Sequence, residues 1–396
     1  MKADLAVVGA GPTGLLLAEE VASHGFEVVV LEEHDEVGVP VHCAGLLSLR
    51  GLGFLGLRPR PGLVLNEFRG AVFYSPSGFE LTVEAGGPVA CVVDRRELDN
   101  ELAERAEDGG VEIMLGRLVK RIAIGSSGVV LSGPWGSLSC PASAVAEGFK
   151  SRLVRQLGLR TIRWDGVLPA SQVEVRAEVA SEDMVEVHLG SRLAPGFFAW
   201  VIPLGDGRAR VGLACRGLDP RYALRRFLRR RMGLSVSRPP YSGSVIKCGP
   251  IPKSYSGRAI VVGDAAGQAK PTTGGGVVLG GICARLAGRA LAKALEAGDL
   301  SEEAMSSCER AWREILGPEF KAMARMRSLL DRMPDALLDL ALRSLAELGI
   351  GRELGRVADM DFHSTVLRAL PSLVASSLAR WARGPPSSRR WIPGTA

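Results

Sequence analysis

Amides are nearly missing from this chain. Among its 396 residues, Asn66, Asn100, Gln156, Gln172 and Gln268 are the only ones. Proteins of hot-living organisms avoid such labile residues, so a thermophilic source is expected, with Arg-heavy codon usage as the alternative. No uninterrupted apolar run reaches the ~18 residues that a membrane-crossing helix requires. The first strand pattern begins at Asp4, which leaves no room for a signal peptide with its charged, apolar and cleavage regions. A cytoplasmic location is therefore expected. The seven cysteines are scattered, odd in number and without a CxxC pair, and no two histidines stand at ligand spacing. Neither a disulfide framework nor a zinc site is expected. Hydrophobic residues at 46% and charged residues at 23% exclude a disordered chain. At ~150 residues per domain, two or three domains are expected. The net charge of +6 suits an anionic partner but specifies none.

What is present has a clear order. Residues 4–8 form a short apolar run ending at Gly9, and residues 27–31 form another. Between them, residues 12–23 carry a helical pattern, so the chain opens as a strand–helix–strand unit of a parallel sheet. Residues 71–93 and 166–216 alternate in β fashion with turn signals and read as antiparallel sheet. Between these lies an amphipathic helix over 94–109. A buried strand at 258–262 leads through a Gly-rich loop into a helix over about 276–297. Beyond Gly298 the pattern is helical, with an apolar stripe of Leu337, Ala341, Leu345 and Leu348. A second stripe comprises Leu367, Leu370, Val374, Leu378 and Trp381. The expected fold is α/β: a Rossmann-like sheet of glutathione reductase type, an inserted antiparallel substrate sheet and a helical C-terminal region. The expected boundaries are 1–165 with 245–299 for the first domain, 166–244 for the substrate domain (with 71–93 contributing), 300–383 for the helices and 384–396 for a loose tail.

Gly9, Gly11 and Gly14 make a G-x-G-x-x-G turn between strand and helix. The first glycine permits the tight turn, the second a close approach of pyrophosphate, the third close helix–strand packing. Glu32 closes the second strand at the spacing expected of an acid that accepts ribose hydroxyls. A plain turn is the bland alternative, but strand, helix and acid all stand in place. Gly263-Asp264, after the late strand, forms a second marker. Its Asp is suited to a ribitol hydroxyl of FAD, and a helix opening at Gly275, Gly276 and Val277 is suited to the flavin edge where reduction builds negative charge. Paired with the first, this motif favours FAD over NAD. With no second G-x-G-x-x-G unit carrying its own strand and acid, a separate nicotinamide domain is not expected.

The segments Cys43-Ala44-Gly45-Leu46 and Phe198-Ala199-Trp200-Val201-Ile202-Pro203, with Val211-Gly212, make the likeness specific. With the two flavin motifs, the chain resembles the geranylgeranyl reductase family of flavoproteins, within the p-hydroxybenzoate hydroxylase-like superfamily, over about residues 1–300. The family's Y-x-W-x-F-P…G motif stands here with Phe198 for Tyr and Ile202 for Phe. The superfamily's Ala-Asp-Gly stands as a Glu at Glu147-Gly148. The resemblance implies FAD contacts at Thr13, Glu32, the backbone of Cys43, Ala44, Gly45 and Leu46, and at Arg95, Val119, Asp264, Gly276 and Val277.

The resemblance further implies reduction of isolated prenyl double bonds, on archaeal ether glycerophospholipids among other substrates. The electron donor would be a ferredoxin, a reduced deazaflavin or NAD(P)H. A flavin monooxygenase of the same superfamily and a non-catalytic lipid-binding flavoprotein are the alternatives. Phe198 and Trp200 read either as sheet core or as the wall of an apolar tunnel. Lys321, the only Lys beyond residue 293, is the candidate for a lipid phosphate. Cys43 is the candidate catalytic residue, shaping proton delivery; a small packed thiol is its bland reading. The arginines at 221–231 read as a solvated face or as contact with anionic head groups at the inner face of the cell membrane. Nucleic-acid binding has no supporting fold signature.

Overall fold

The computed structural model describes residues 3–236 and 241–382; the expected tail at 384–396 lies outside them. Strand Leu5–Val8 stands in the middle of a six-stranded sheet, flanked by Val28–Leu31 and Ala142–Val145. Glu112–Met114 and Ala259–Val261 extend it in parallel on either side, and Tyr255–Ser256 closes one edge antiparallel. Both faces are buried, which explains continuous apolar runs instead of alternation. Leu5, Val7, Val28 and Val30 face one core, with the helices Pro12–Ala22, Arg95–Asp108 and Val277–Glu296. Ala6, Val8, Val29 and Leu31 face the other, covered by Ile122, Val129, Leu131 and Leu138 of a small antiparallel sheet.

The second large sheet has seven strands, ordered Tyr241–Ile246, Val167–Arg176, Arg208–Ala214, Phe198–Gly205, Met184–Leu189, Gly70–Tyr74 and Glu80–Glu84. The helix Pro220–Met232 covers one face, packing Ala223, Leu224, Phe227 and Leu228 on Val173, Val201, Val211 and Leu213. The antiparallel reading of 71–93 needs two corrections. Gly70–Tyr74 pairs parallel with Met184–Leu189, because the two strands are joined by a long crossover and not by a hairpin. Ala90–Val93 leaves this sheet and pairs with Leu46–Ser48 and Val64–Phe68 in a separate three-stranded sheet.

Four helices end the described chain: Glu302–Arg332, Asp335–Glu347, Gly351–Val357 and Ser364–Ala382. The expected stripe in the second is one position out of phase. Leu338 and Leu342 are the buried pair, while Leu337 is 47% exposed. Asp335 and Asp339 fix the helix's rotation by accepting from Ser191 and Ser77 in the sheet's loops. In the last helix Leu367 and Leu378 are exposed and Ser377 is buried; the side chain of Trp381 lies outside the described residues. The short third helix seals the open edge of the seven-stranded sheet, a place where unpaired backbone would otherwise invite association. A Cβ at Gly351 would stand 2.0 Å from the Thr82 carbonyl oxygen, and one at Gly355 1.9 Å from that of Glu84.

Gly351→Ala is therefore expected to destabilise the protein by about 1–3 kcal/mol through overpacking. Gly86→Ala, where a Cβ meets no atom within 4 Å, should leave the melting temperature unchanged. Thermal unfolding of both variants checks this.

Candidate functional site: a dinucleotide cradle facing an apolar sheet

The first turn behaves as its three glycines require. Gly9 has φ 103°, and a Cβ there would meet the Ala146 carbonyl oxygen at 2.5 Å. A Cβ at Gly14 would lie 2.0 Å from the Gly9 carbonyl oxygen. Gly11 is different: a Cβ there meets nothing within 4 Å, so its hydrogen clears the approach to the turn instead of the fold. No side chain caps the N–H groups of the helix that follows. Free donors at a positive helix end, with a clear approach, suit a pyrophosphate. Glu32 is buried, and its carboxylate accepts from the N–H of Ala10 at 2.7 Å and of His34 at 3.0 Å. Thr13 ties the first motif to the second, since Cβ atoms at Gly263 and Gly280 would come within 2.9 and 3.0 Å of its Oγ1. Val119 is a core side chain, and its N–H and C=O carry no partner among the described residues.

The second motif begins at Gly263, φ 68°, and turns through Gly263–Ala266. Asp264 borders free space. Protein nevertheless surrounds it closely enough that burial pushes its carboxyl above the usual carboxylate range, against the pull of the Arg95 charge. The carboxylate accepts no hydrogen bond from the described residues. A Cβ at Gly276 would meet Asp264 Oδ1 at 2.5 Å, and one at Gly275 would meet Lys270 Cε at 2.7 Å. The two glycines thus admit these side chains beside the start of the helix Val277–Glu296, which has no side-chain cap. Lys270, absent from the sequence reading, is buried and donates to Asp361 Oδ1 and to the Met360 carbonyl oxygen, each at 2.9 Å. Asp361 also accepts from Ser48 Oγ at 2.5 Å. The C-terminal region is thereby tied to the glycine loop.

The loop from Cys43 to Leu46 is held by the seven-stranded sheet on one side and by the strand Ala90–Val93 on the other. Gln172 Nε2 donates to the Cys43 carbonyl oxygen at 3.1 Å, and Arg210 Nη1 donates to that of Ala44 at 2.5 Å. Neither residue stood out in the sequence, because their role depends on strand register. Gly45, φ 72°, passes so near the Val93 carbonyl oxygen that a Cβ would lie 2.6 Å away. Its N–H donates to Cys43 Sγ at 3.4 Å. Arg95 opens its helix with a guanidinium only 10% exposed, paired with Asp99 at 2.8 Å. Burial opposes that charge, but Asp99 and the neighbouring Cys43 thiol raise the arginine's pKa above its ordinary value. Of the remaining cysteines all but Cys248 are buried. Burial pushes Cys91 and Cys308 up to about 12 and Cys140 up to about 11. Cys43 is thus the half-exposed thiol in this loop.

Phe198 and Trp200 lie on the sheet face that meets this loop. Phe198 stacks on Phe197 with centroids 4.2 Å apart and meets Trp200 edge-on at 6.2 Å. Trp200 is in register with Gly212, and a Cβ there would strike the indole at 2.5 Å, which gives the motif's glycine its reason. The indole Nε1 and Gln172 Oε1 are buried without partners among the described residues. His42 is exposed. Glu147 caps the helix Arg152–Gln156, accepting from the N–H of Leu153 at 2.7 Å and of Val154 at 3.0 Å. Lys321 stands apart: it is exposed on the long helix and has no partner among the described residues. No cluster of three or more potential metal ligands occurs among the described residues.

The cleared approach at Gly11 and the unpartnered Asp264 carboxylate fit an FAD, whose pyrophosphate needs N–H donors and whose ribitol offers hydroxyls. Asp264→Asn should then separate two effects. An acid whose pKa is raised by folding gains stability as pH falls through its folded value toward ~3.9, and costs stability at neutral pH. The variant is expected to raise the melting temperature of flavin-stripped protein at neutral pH, an advantage that should shrink as the pH falls toward ~3.9. It should weaken FAD binding at least tenfold, about 1.4 kcal/mol. Calorimetry of the stripped protein and FAD titration measure the two effects separately.

The family model of the FAD binding domain matches residues 2–220. The chain is 34% identical to digeranylgeranylglycerophospholipid reductase 2 of Methanothermobacter thermautotrophicus, covering 94% of this chain and 98% of that one. It is 31% identical to digeranylgeranylglycerophospholipid reductase 2 of Methanopyrus kandleri, with coverage of 94% and 98%. The solved structure of a geranylgeranyl bacteriochlorophyll reductase-like protein from Thermoplasma acidophilum superposes with a TM-score of 0.84 at 23% identity, over 96% of this chain and 99% of that one, which speaks for the fold. A backbone cradle for FAD, a second sheet closing over it and this degree of identity along almost the whole length lead to one assignment: the chain belongs to the digeranylgeranylglycerophospholipid reductase family of FAD-binding proteins.

Proposed function

We propose that the protein saturates isolated double bonds in the geranylgeranyl chains of an ether glycerophospholipid. Beyond the family itself, one observation carries the reading. Gln172, Gly212, Trp200, Val187 and Phe73 stand opposite one another on five successive strands. Trp200, Val187 and Phe73 are half-buried, so the row is apolar and open to a ligand. Four strand spacings of ~4.8 Å give it a length of about 19 Å, suited to an extended isoprenoid. Its inner end touches the Cys43 loop through Gln172.

The cofactor would be held by the N–H groups after Gly9, by Glu32 and Asp264, and by the uncapped start of the helix Val277–Glu296. Reduced FAD, when bound, supplies the hydride equivalent. The protein's own residues must do the rest. A trisubstituted alkene has no carbonyl to absorb charge, so the less substituted carbon must receive a proton while cation-like character grows on the other. The apolar row keeps water from that centre. Cys43 Sγ holds a transferable proton beside the row. Arg95, fixed by Asp99 and near enough to this thiol for the two to interact electrostatically, offers its positive charge to the sulfur as the proton leaves.

Anaerobic mixing of the reduced holoprotein with a geranylgeranylated glycerophospholipid tests the reading: flavin reoxidation should match the gain of two hydrogens per double bond in the lipid. Reoxidation that requires oxygen would sink it. Cys43→Ser is expected to retain FAD and lose at least tenfold in this single turnover, about 1.4 kcal/mol of barrier.

The same reading places the protein against an anionic lipid surface. On the helix Pro220–Met232, Arg225, Arg226, Arg229 and Arg230 are exposed and lack partners among the described residues, and Tyr222 beside them is 64% exposed. Arg225→Gln combined with Arg229→Gln should weaken cosedimentation with phosphatidylglycerol vesicles at low salt, at about 1 kcal/mol per arginine. High salt should erase the difference.

A further inference from the structure

Three charged side chains meet beyond the aromatic stack. Lys247 Nζ donates to Asp331 Oδ2 at 2.6 Å and to the Gly196 carbonyl oxygen at 3.2 Å. Arg327, one turn before Asp331 on the long helix, reaches Oδ1 at 2.6 Å. The two cationic side chains are 6% and 8% exposed, whereas Asp331 is 30% exposed. One carboxylate therefore serves two buried cations, and no second carboxylate lies within 4.0 Å of either among the described residues. A net positive charge remains. Arg327 Nε is also buried without an acceptor among the described residues. An uncompensated charge and an idle donor in the interior are each costly, so packing alone gives no reason to keep them.

Their position supplies a reason. Arg327 Cζ lies 5.6 Å over the ring of Phe197, which stacks on Phe198 and leads to Trp200. From Trp200 the line continues across Gly212 to Gln172 and the Cys43 loop. A cationic site, an aromatic wall and a thiol thus follow one another. We infer that Lys247 and Arg327 form a subsite for the phosphate of the lipid head group, with the prenyl chain laid along Phe197, Phe198 and Trp200 toward Cys43. This rests on the reading of the protein as a prenyl-lipid reductase. A phosphate oxyanion supplies the missing negative charge and an acceptor for Arg327 Nε, while the lysine serves as a point charge. Lys321, the sequence candidate for this task, sits six residues before Arg327 on another face of the same helix and is exposed.

Lys247→Met and Arg327→Met keep the apolar stems and remove the charge. In the holoprotein, kcat/KM for digeranylgeranylglyceryl phosphate divided by that for digeranylgeranylglycerol should fall at least tenfold in each variant, chiefly through KM. An equal loss on both substrates would make the cluster structural and overturn the inference. Asp331→Asn guards against a folding defect in the methionine variants. Removing the competing carboxylate should raise the same ratio, while a purely structural triad predicts no rise. Inorganic phosphate should compete with the phosphorylated lipid in the parent protein; competition as strong as that of the lipid itself would assign the site to free phosphate instead. If the parent reduces neither lipid, the prenyl-reductase reading fails on its own. Calorimetric titration with geranylgeranyl phosphate then decides the subsite: binding lost in the methionine variants sustains it, and binding that is unchanged in them, or absent in the parent, overturns it.

Discussion

The buried guanidinium of Arg210 is the joint on which the site depends. Its side chain is 7% exposed, paired with Glu174 at 2.7 Å on the neighbouring strand and donating to the Ala44 carbonyl oxygen at 2.5 Å. Hydrogen bonds to charged groups contribute about 1.5–3 kcal/mol, and a buried partner left without them costs as much again. Gly45 takes its left-handed conformation under the same guanidinium, where a Cβ would stand 2.9 Å from Nη1. Strand register then does the rest. With Arg210 opposite Glu174, Gly212 falls opposite Gln172 and Trp200, and the apolar row comes to rest against the cysteine loop.

What the sequence made legible was local. The glycine turn, Glu32 and the helix that begins beyond Asp94 each announce themselves within a few residues, because capping and backbone conformation are short-range constraints. Asp94 accepts from the N–H of Arg96 and Glu97, as an N-cap should. The cation beside Cys43 could not be read that way. Arg95 lies 52 positions on, and only the pairing of Leu46–Ser48 with Ala90–Val93 brings the two together. The parallel pairing of the strand at 70–74 is hidden for a like reason, since alternation reports that one face is buried and not which way the neighbour runs.

Lys321 shows a different limit. The last lysine in the chain stands in solvent, while Lys247, 74 positions earlier, is carried inward by an edge strand. Composition ranks residues by chemistry, and the fold decides which of them lose water. The helix at 335–347 repeats the lesson on a smaller scale. Its leucines allow two overlapping stripes one position apart, and two aspartates bonded to distant loops select between them.

The unsatisfied polar groups have a direction. At the flavin end stands a carboxylate, Asp264, which accepts from no donor among the described residues and resists ionisation through burial. At the other end stand two cations sharing one carboxylate, with Arg327 Nε lacking an acceptor. Between them runs a face whose charged groups are drawn aside, as Arg210 is into its pair with Glu174. A neutral, uniformly greasy ligand would answer neither end. One that is anionic at its head and apolar along its length, laid beside a hydroxyl-bearing cofactor, would complete both ends without exposing the middle to water. The cost of keeping these groups unpaired falls on the free protein, and binding recovers it only for ligands of that polarity. Selectivity can then arise from groups that never touch the reacting carbons, which leaves the apolar face between them free to accept isoprenoid units of equal shape at successive positions.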